Sequence, residues 1–151
     1  MTRRRPCPCG SGDAYPACCR PVHRGEVDPT PARLVRARFA AFALGDDAFL
    51  FATLHPRHPD RQVPGIRTQL RTARQRRRYR RVTIHAAPDP VGGRAQVLFT
   101  AHLYEGGRAR PFTELSDFAP GENGRWAYLD GLLRPGEGPT TIEAFLASFE
   151  D

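Results

Sequence analysis

Apolar positions along the chain follow two rhythms, a helical one up to about residue 78 and a two-residue one after residue 81. Leu34, Ala37, Ala41 and Leu44 recur at three and four, with Phe39 and Phe42 widening the stripe and Arg33 and Arg36 on the solvent side. Thr30 as N-cap and Pro31 at the first helical position open this helix, and Gly45 closes it. Asp46 is placed to cap a second helix over Asp47 to His55, with Phe49, Leu50 and Leu54 inward and Pro56 as the stop. A third helix is predicted from Pro64 to about Arg78 on a narrow stripe of Ile66, Leu70 and Ala73.

Beyond Arg81 the alternation predicts strands. The first is Val82 to Ala86, and the longest runs from Arg94 to Tyr104. In the longer one Ala95, Val97, Phe99, Ala101 and Leu103 share a face. Glu105-Gly-Gly-Arg108 predicts a hairpin turn, and the return strand spans about Ala109 to Phe118, with Phe112, Glu114, Ser116 and Phe118 on one side. Asn123-Gly124 is a second turn before a last strand from Trp126 to Asp130, ending at Gly131. Thr140 and Glu143 have capping-box spacing ahead of a short helix with Ile142, Phe145, Leu146 and Phe149 on its apolar stripe. Helices followed by antiparallel strands predict an α+β domain, with the helices packed on one face of a curved sheet. The final helix is expected to seal it or else to contact a second subunit.

Composition narrows the class. With 151 residues, 40% apolar and 26% charged, the chain suits one globular body with its own core. No stretch approaches a membrane span, and no apolar signal segment precedes the first cysteine, so a cytoplasmic location is expected. The net charge is +7, and every basic side chain except histidine is an arginine. Residues 57–81 carry ten arginines against the single acid Asp60. On the third helix Arg67, Arg71, Arg74 and Arg78 form a basic stripe, which phosphate backbone, an anionic lipid surface or an acidic protein could use, or which is simply solvated.

All four cysteines lie in one thirteen-residue stretch, Cys7-Pro-Cys9-Gly-Ser-Gly to Cys18-Cys19. Four thiolates can close a tetrahedral zinc site; two local disulfides and four free thiols are the other readings. A site of four thiolates leaves no open position for catalysis. Cys7-Pro-Cys9-Gly10-Ser11-Gly12, Tyr15 and Cys18-Cys19 resemble the SEC-C motif, a small zinc knuckle. That resemblance implies Cys7, Cys9, Cys18 and Cys19 as zinc ligands, with Tyr15 packed over the knuckle.

Further on, Pro31 to Asp46, Thr53-Leu-His55-Pro56, Phe112 to Phe118 and Gly124 to Gly131 are similar to the YchJ family of uncharacterised bacterial proteins. The resemblance spans about residues 5–135. It implies a cystatin-like cone of the nuclear-transport-factor type, with three helices on a strongly bent antiparallel sheet that often encloses a pocket. Many members carry a second knuckle at the C-terminus, where this chain has no cysteine. The expected division is a knuckle at 1–22, a connector at 23–31, the cone at 32–134 and a C-terminal extension at 135–151.

Candidate groups for chemistry are His55, His102, Glu114, Ser116 and Asp130, on segments that could converge at the mouth of the cone. Glu114 between Phe112 and Phe118 is a candidate buried acid. His55 could instead cap its helix, and Asp130 could serve a strand-end turn. No nucleophile elbow, phosphate-binding glycine loop or zincin spacing occurs. Two functions follow. One is a non-enzymatic zinc-binding adaptor contacting a protein, ribosomal or nucleic-acid surface; the other is a small-ligand binder or enzyme using the cone. An open cavity lined by the candidate groups would favour the second.

Overall fold

The computed structural model describes residues 5–150. The first four residues of the expected knuckle segment, and Asp151 of the C-terminal extension, lie outside the described residues.

Local capping chemistry sets the helical half. Helix α1 is a single turn, Arg20–His23, across the expected boundary between knuckle and connector. Helix α2, Pro31–Leu44, begins where the Arg33 N–H donates to Thr30 Oγ1 at 3.3 Å. It ends at Gly45, whose φ of 72° is the left-handed cap that glycine adopts without strain. Helix α3, Asp47–Ala52, is capped by Asp46 Oδ1, which accepts from the Phe49 N–H at 3.1 Å. It stops short of the expected His55 because the sheet takes over its backbone. The Tyr128 N–H donates to Thr53 O at 2.7 Å, and the His55 N–H donates to Tyr128 O at 2.8 Å.

The third helix is shorter than its sequence pattern. Helix α4 covers Ile66–Thr72, a 3-10 turn follows at Ala73–Gln75, and strand β1, Arg77–Ala86, already begins at Arg77. Arg77 pairs with Glu105 and Arg78 with Tyr104 on strand β2, Ala95–Glu105. Arg78 therefore belongs to a strand, and the predicted four-arginine helical stripe is divided between two elements. Cross-strand partners decided the conformation of a run with little periodicity of its own.

The sheet is antiparallel in the order β1-β2-β4-β5, where β4 is Phe112–Pro120 and β5 is Trp126–Pro135; the two-residue β3, Arg108–Ala109, also pairs with β2. The β2–β3 turn carries Gly106 and Gly107 at φ 60° and 77°, as a two-residue hairpin loop requires. Strand β5 runs past the expected stop at Gly131. Register shifts between Tyr79 and Arg81, between Ile84 and Ala86, and between Asp117 and Phe118 are bulges that bend and twist the sheet into an open cone.

The inner face of the sheet, with Val82, Val97, Phe99, Ala101, Leu103 and Phe118, packs on Leu34, Val35, Ala37, Phe39 and Ala40 of α2. The outer face buries Leu98 and Leu115 beneath Phe145 of helix α5, Ile142–Ala147. Helix α5 does cover the sheet, but its cap is Thr141, which accepts from the Ala144 N–H at 3.2 Å, one residue beyond the expected Thr140. Among the described residues no helix is long and apolar enough to cross a membrane.

Candidate functional site

The cysteine stretch folds back on itself through local hydrogen bonds. The Cys7 N–H donates to Asp13 O at 2.8 Å, the Gly10 N–H to Cys7 O at 3.1 Å, and a 3-10 turn at Tyr15–Ala17 delivers Cys18 and Cys19. The four Sγ atoms all lie within 4.8 Å of one another, with Cys9 to Cys18 at 3.6 Å and Cys18 to Cys19 at 4.0 Å. Ser11 Oγ lies 3.1 Å from Cys18 Sγ. Cys19 and then Cys7 hold the Cys9 thiol well below its ordinary range, while Cys7, Cys9 and burial push Cys19 up. Such crowding of thiols is the donor geometry of a potential metal site.

The cluster is docked on the rest of the molecule. The Val82 N–H of β1 donates to Cys9 O at 3.0 Å, and Gly10 sits directly against Arg81, where a side chain would collide. Arg33 Nη2 donates to Cys18 O at 3.2 Å. The Tyr15 hydroxyl meets His23 Nδ1 at 2.7 Å, and His23 Nε2 donates to Ala37 O at 2.7 Å, tying the knuckle to the middle of α2. Cys7, Cys9 and Cys19 share one apolar core with α2 and the sheet.

The second feature lies inside the cone. A cavity of about 250 Å³ is bounded by Val35, Phe39 and Phe42 of α2, Leu70 of α4, and Tyr79, Phe99, Phe112 and Phe118 of the sheet. Polar side chains reach its wall from several elements, among them Arg38 of α2, Glu114 and Ser116 of β4 and Tyr128 of β5. Glu114 Oε2 accepts from Ser116 Oγ at 2.5 Å and from the Tyr128 hydroxyl at 2.9 Å. Glu114 Oε1 has no hydrogen-bond partner among the described residues. Burial pushes the Glu114 carboxyl above its usual range, against the pull of the Ser116 and Tyr128 hydrogen bonds and of Arg38.

Arg38 interrupts the apolar side of α2. Its guanidinium lies 4.9 Å from the centroid of the Tyr128 ring, and Nη1 donates to Leu50 O at 2.9 Å and to Thr53 Oγ1 at 2.5 Å. Burial lowers its pKa to about 10, which leaves it charged at neutral pH. At the wall formed by β1, the Tyr79 hydroxyl is buried with no partner among the described residues, while its ring packs on Phe39 and Phe42.

Of the candidate groups, Glu114 and Ser116 line this cavity and the other three do not. His55 is buried as a brace: Nε2 donates to Pro120 O at 3.2 Å, and Nδ1 accepts from the Arg57 N–H at 3.1 Å. His102 is on the outer face, 3.3 Å from Thr83 Oγ1 and 3.6 Å from Glu137. Asp130 is exposed and accepts from the Gly131 N–H at 2.8 Å. On α4, Arg67 and Arg71 both turn to Asp47, at 2.8 and 3.8 Å; Arg74, on the 3-10 turn that follows, donates to Leu44 O at the end of α2.

Arg38, Tyr79 and Tyr128 were not among the sequence candidates. A signal did exist for Arg38. It stands four residues after Leu34 and three before Ala41, so it falls on the apolar stripe where a charge is out of place. A larger hollow of about 500 Å³ lies outside the cone between residues 22–29, α3 and the β4–β5 turn. Two of its three arginines are engaged, Arg61 with Leu54 O and Arg125 with Gly25 O.

Comparison with known proteins adds three findings. A family model described as "YchJ, middle NTF2-like domain" matches residues 30–131. A UPF0225 protein of Cupriavidus metallidurans is 41% identical over 138 residues, covering 85% of this chain and 89% of its own length; one of Deinococcus radiodurans is 38% identical over 131 residues, covering 83% and 88%. The crystal structure of a sec-c motif containing protein from Psychrobacter arcticus superposes with a TM-score of 0.68 over 82% of this chain and 80% of that one. Its 23% identity makes that last likeness one of fold.

Proposed function

The chain belongs to the YchJ (UPF0225) family, and we propose that it is a zinc-braced cytoplasmic protein whose cone binds a small organic ligand. The observation that carries this reading is the cavity itself. Aromatic walls surround a free carboxylate oxygen and a buried guanidinium, the mixture of apolar lining and few convergent polar groups that small-molecule sites have. A core with no ligand to hold would gain stability by filling that space with carbon.

Zinc is the ion that Cys7, Cys9, Cys18 and Cys19 suit. A Zn–S bond of about 2.3 Å gives a tetrahedral edge near 3.8 Å, between the 3.6 and 4.0 Å separations of Cys18 from its two neighbours. The ion would supply structure: it closes a segment too small to have a core, with every position taken by sulfur. Four adjacent unpaired thiols also suit a reducing compartment, hence the cytoplasm. The reading is one of binding rather than catalysis, because neither His55 nor His102 reaches the acid in the cavity.

Thermal unfolding across a fragment library tests the ligand reading. Fragments that occupy the cone raise the Tm of the native chain by several degrees and lose that effect in Ser116→Leu, which fills the cavity. Equal shifts in both proteins, or none in either, would contradict it.

An adaptor function keeps one supporting observation. Arg76, Arg78, Arg80 and Arg81 are exposed at the start of β1, without a carboxylate in ion-pair range among the described residues. Any anionic protein, ribosomal or nucleic-acid partner would meet that edge rather than α4, whose Arg67 and Arg71 are already paired.

A further inference from the structure

The polar groups in the cone are unequal in what they still need, and that inequality selects a ligand charge. Glu114 is well supplied, with Oε2 taking two hydrogen bonds from Ser116 and Tyr128. Arg38 is not. It is 9% exposed, and among the described residues no carboxylate lies within ion-pair distance of it. Only Nη1 is used, on Leu50 O and Thr53 Oγ1; Nε and Nη2 make no hydrogen bond among the described residues. The Nε–Nη2 edge of a guanidinium is the edge that takes a carboxylate with two parallel hydrogen bonds.

The other charges at the cavity do not supply that partner. Asp60 lines it too, but beyond ion-pair range of Arg38, and Arg77 is held by Glu105 at 3.5 Å. A buried guanidinium cannot shed its proton at neutral pH, and without a ligand its charge is met only through space, by Glu114 and Asp60, with no direct ion pair among the described residues. Size and lining complete the description. About 250 Å³ is below the range of roughly 300–1,000 Å³ typical of drug-sized sites, and seven of the sixteen lining residues carry aromatic rings.

Resting on the reading that the cone holds a small molecule, we infer that its ligand is a compact organic acid with an aromatic or apolar body, whose carboxylate sits on the free edge of Arg38. The body lies among Phe39, Phe42, Phe99 and Phe112. Glu114 Oε1 is left to meet any hydroxyl or amide donor the ligand carries.

Three probes of one shape and different charge test this on the full chain: 3-phenylpropionate, 3-phenylpropanamide and 3-phenylpropylamine. Each is titrated while the methyl NMR signals of Val35, Leu54 and Leu103 are followed, since all three residues line the cavity. The acid is expected to shift those methyls and to bind at least about tenfold more tightly than the amide or the amine. Arg38→Gln should remove that preference. Because Arg38 also braces α3, the series on the native chain decides the matter even where the variant does not fold. Equal or tighter binding of the amine or the amide overturns the charge assignment while leaving a ligand site in place. No shift at the three methyls with any probe overturns the assignment altogether, and the small-molecule reading then rests on the charge-blind fragment comparison with Ser116→Leu.

Discussion

Tyr128 on β5 donates its phenolic proton to Oε2 of Glu114 on β4 at 2.9 Å, and Gly131 leaves the room for that bond. A Cβ at position 131 would run into both the Tyr128 hydroxyl and the Glu114 carboxylate. The glycine is there for space, since its backbone is not in the left-handed region. Gly131→Ala is therefore expected to cost about 1–3 kcal/mol by overpacking and to break the Glu114 network. Urea unfolding measures the cost; a variant as stable as the parent would mean the carboxylate relocates freely.

Glu114 also predicts a pH dependence. Its folded pKa is raised by burial, so the folded state favours the neutral acid more than the unfolded chain does. The stability this group contributes is present below the ordinary value of 4.5 and is lost as pH rises through the folded value. Glu114→Gln keeps an acceptor for Ser116 and Tyr128 and cannot ionise. Relative to the parent, the variant should gain stability as pH rises from about 4.5 toward neutrality, read by urea unfolding at a series of pH values. A constant difference across that range would remove burial as the dominant influence on this carboxyl.

How much of this was legible in the sequence divides along physical lines. The helix boundaries at Thr30, Gly45 and Asp46 were readable because capping is local, a matter of one side chain and the next few N–H groups. The inner face of β2 was readable because its alternation is strict. Arg78 was not, because a run of arginines has no period, and pairing with β2 across the sheet placed it on a strand. Among the site candidates, Glu114 and Ser116 shared a face of β4 and stayed together. His55, His102 and Asp130, on segments expected to converge at the mouth, did not join them: His55 is a loop brace on Pro120 O, His102 lies on the outer face of β2, and Asp130 is exposed on β5. Arg38 could have been found by asking why a charge stands on an apolar stripe.

The unpartnered hydroxyl of Tyr79 supplies a third prediction. Tyr79→Phe removes a buried polar group that makes no bond and keeps the ring contacts with Phe39 and Phe42. The ligand-free variant should be as stable as the parent or more stable by about 1 kcal/mol. A loss of that size in urea unfolding would show that the hydroxyl has a partner in solution.

The knuckle supplies a fourth. Purified protein should contain one zinc per chain by elemental analysis, and chelation should speed hydrogen exchange at the Val82 amide, whose acceptor is the Cys9 carbonyl. Gly10→Ala should loosen the same contact without touching a thiol, since Gly10 has φ 83° and no space before Arg81. Protein free of zinc, or a Val82 amide indifferent to chelator, would separate the cysteine cluster from the fold it is docked on.

The claim that the cone is a ligand site is tested most directly by enrichment from a small-molecule extract of bacterial cytosol. Native protein and Ser116→Leu are each incubated with the extract, passed through gel filtration and denatured, and the released molecules are identified by mass spectrometry. The account predicts at least one organic acid retained by the native chain and not by the variant. Identical profiles from the two proteins would contradict it.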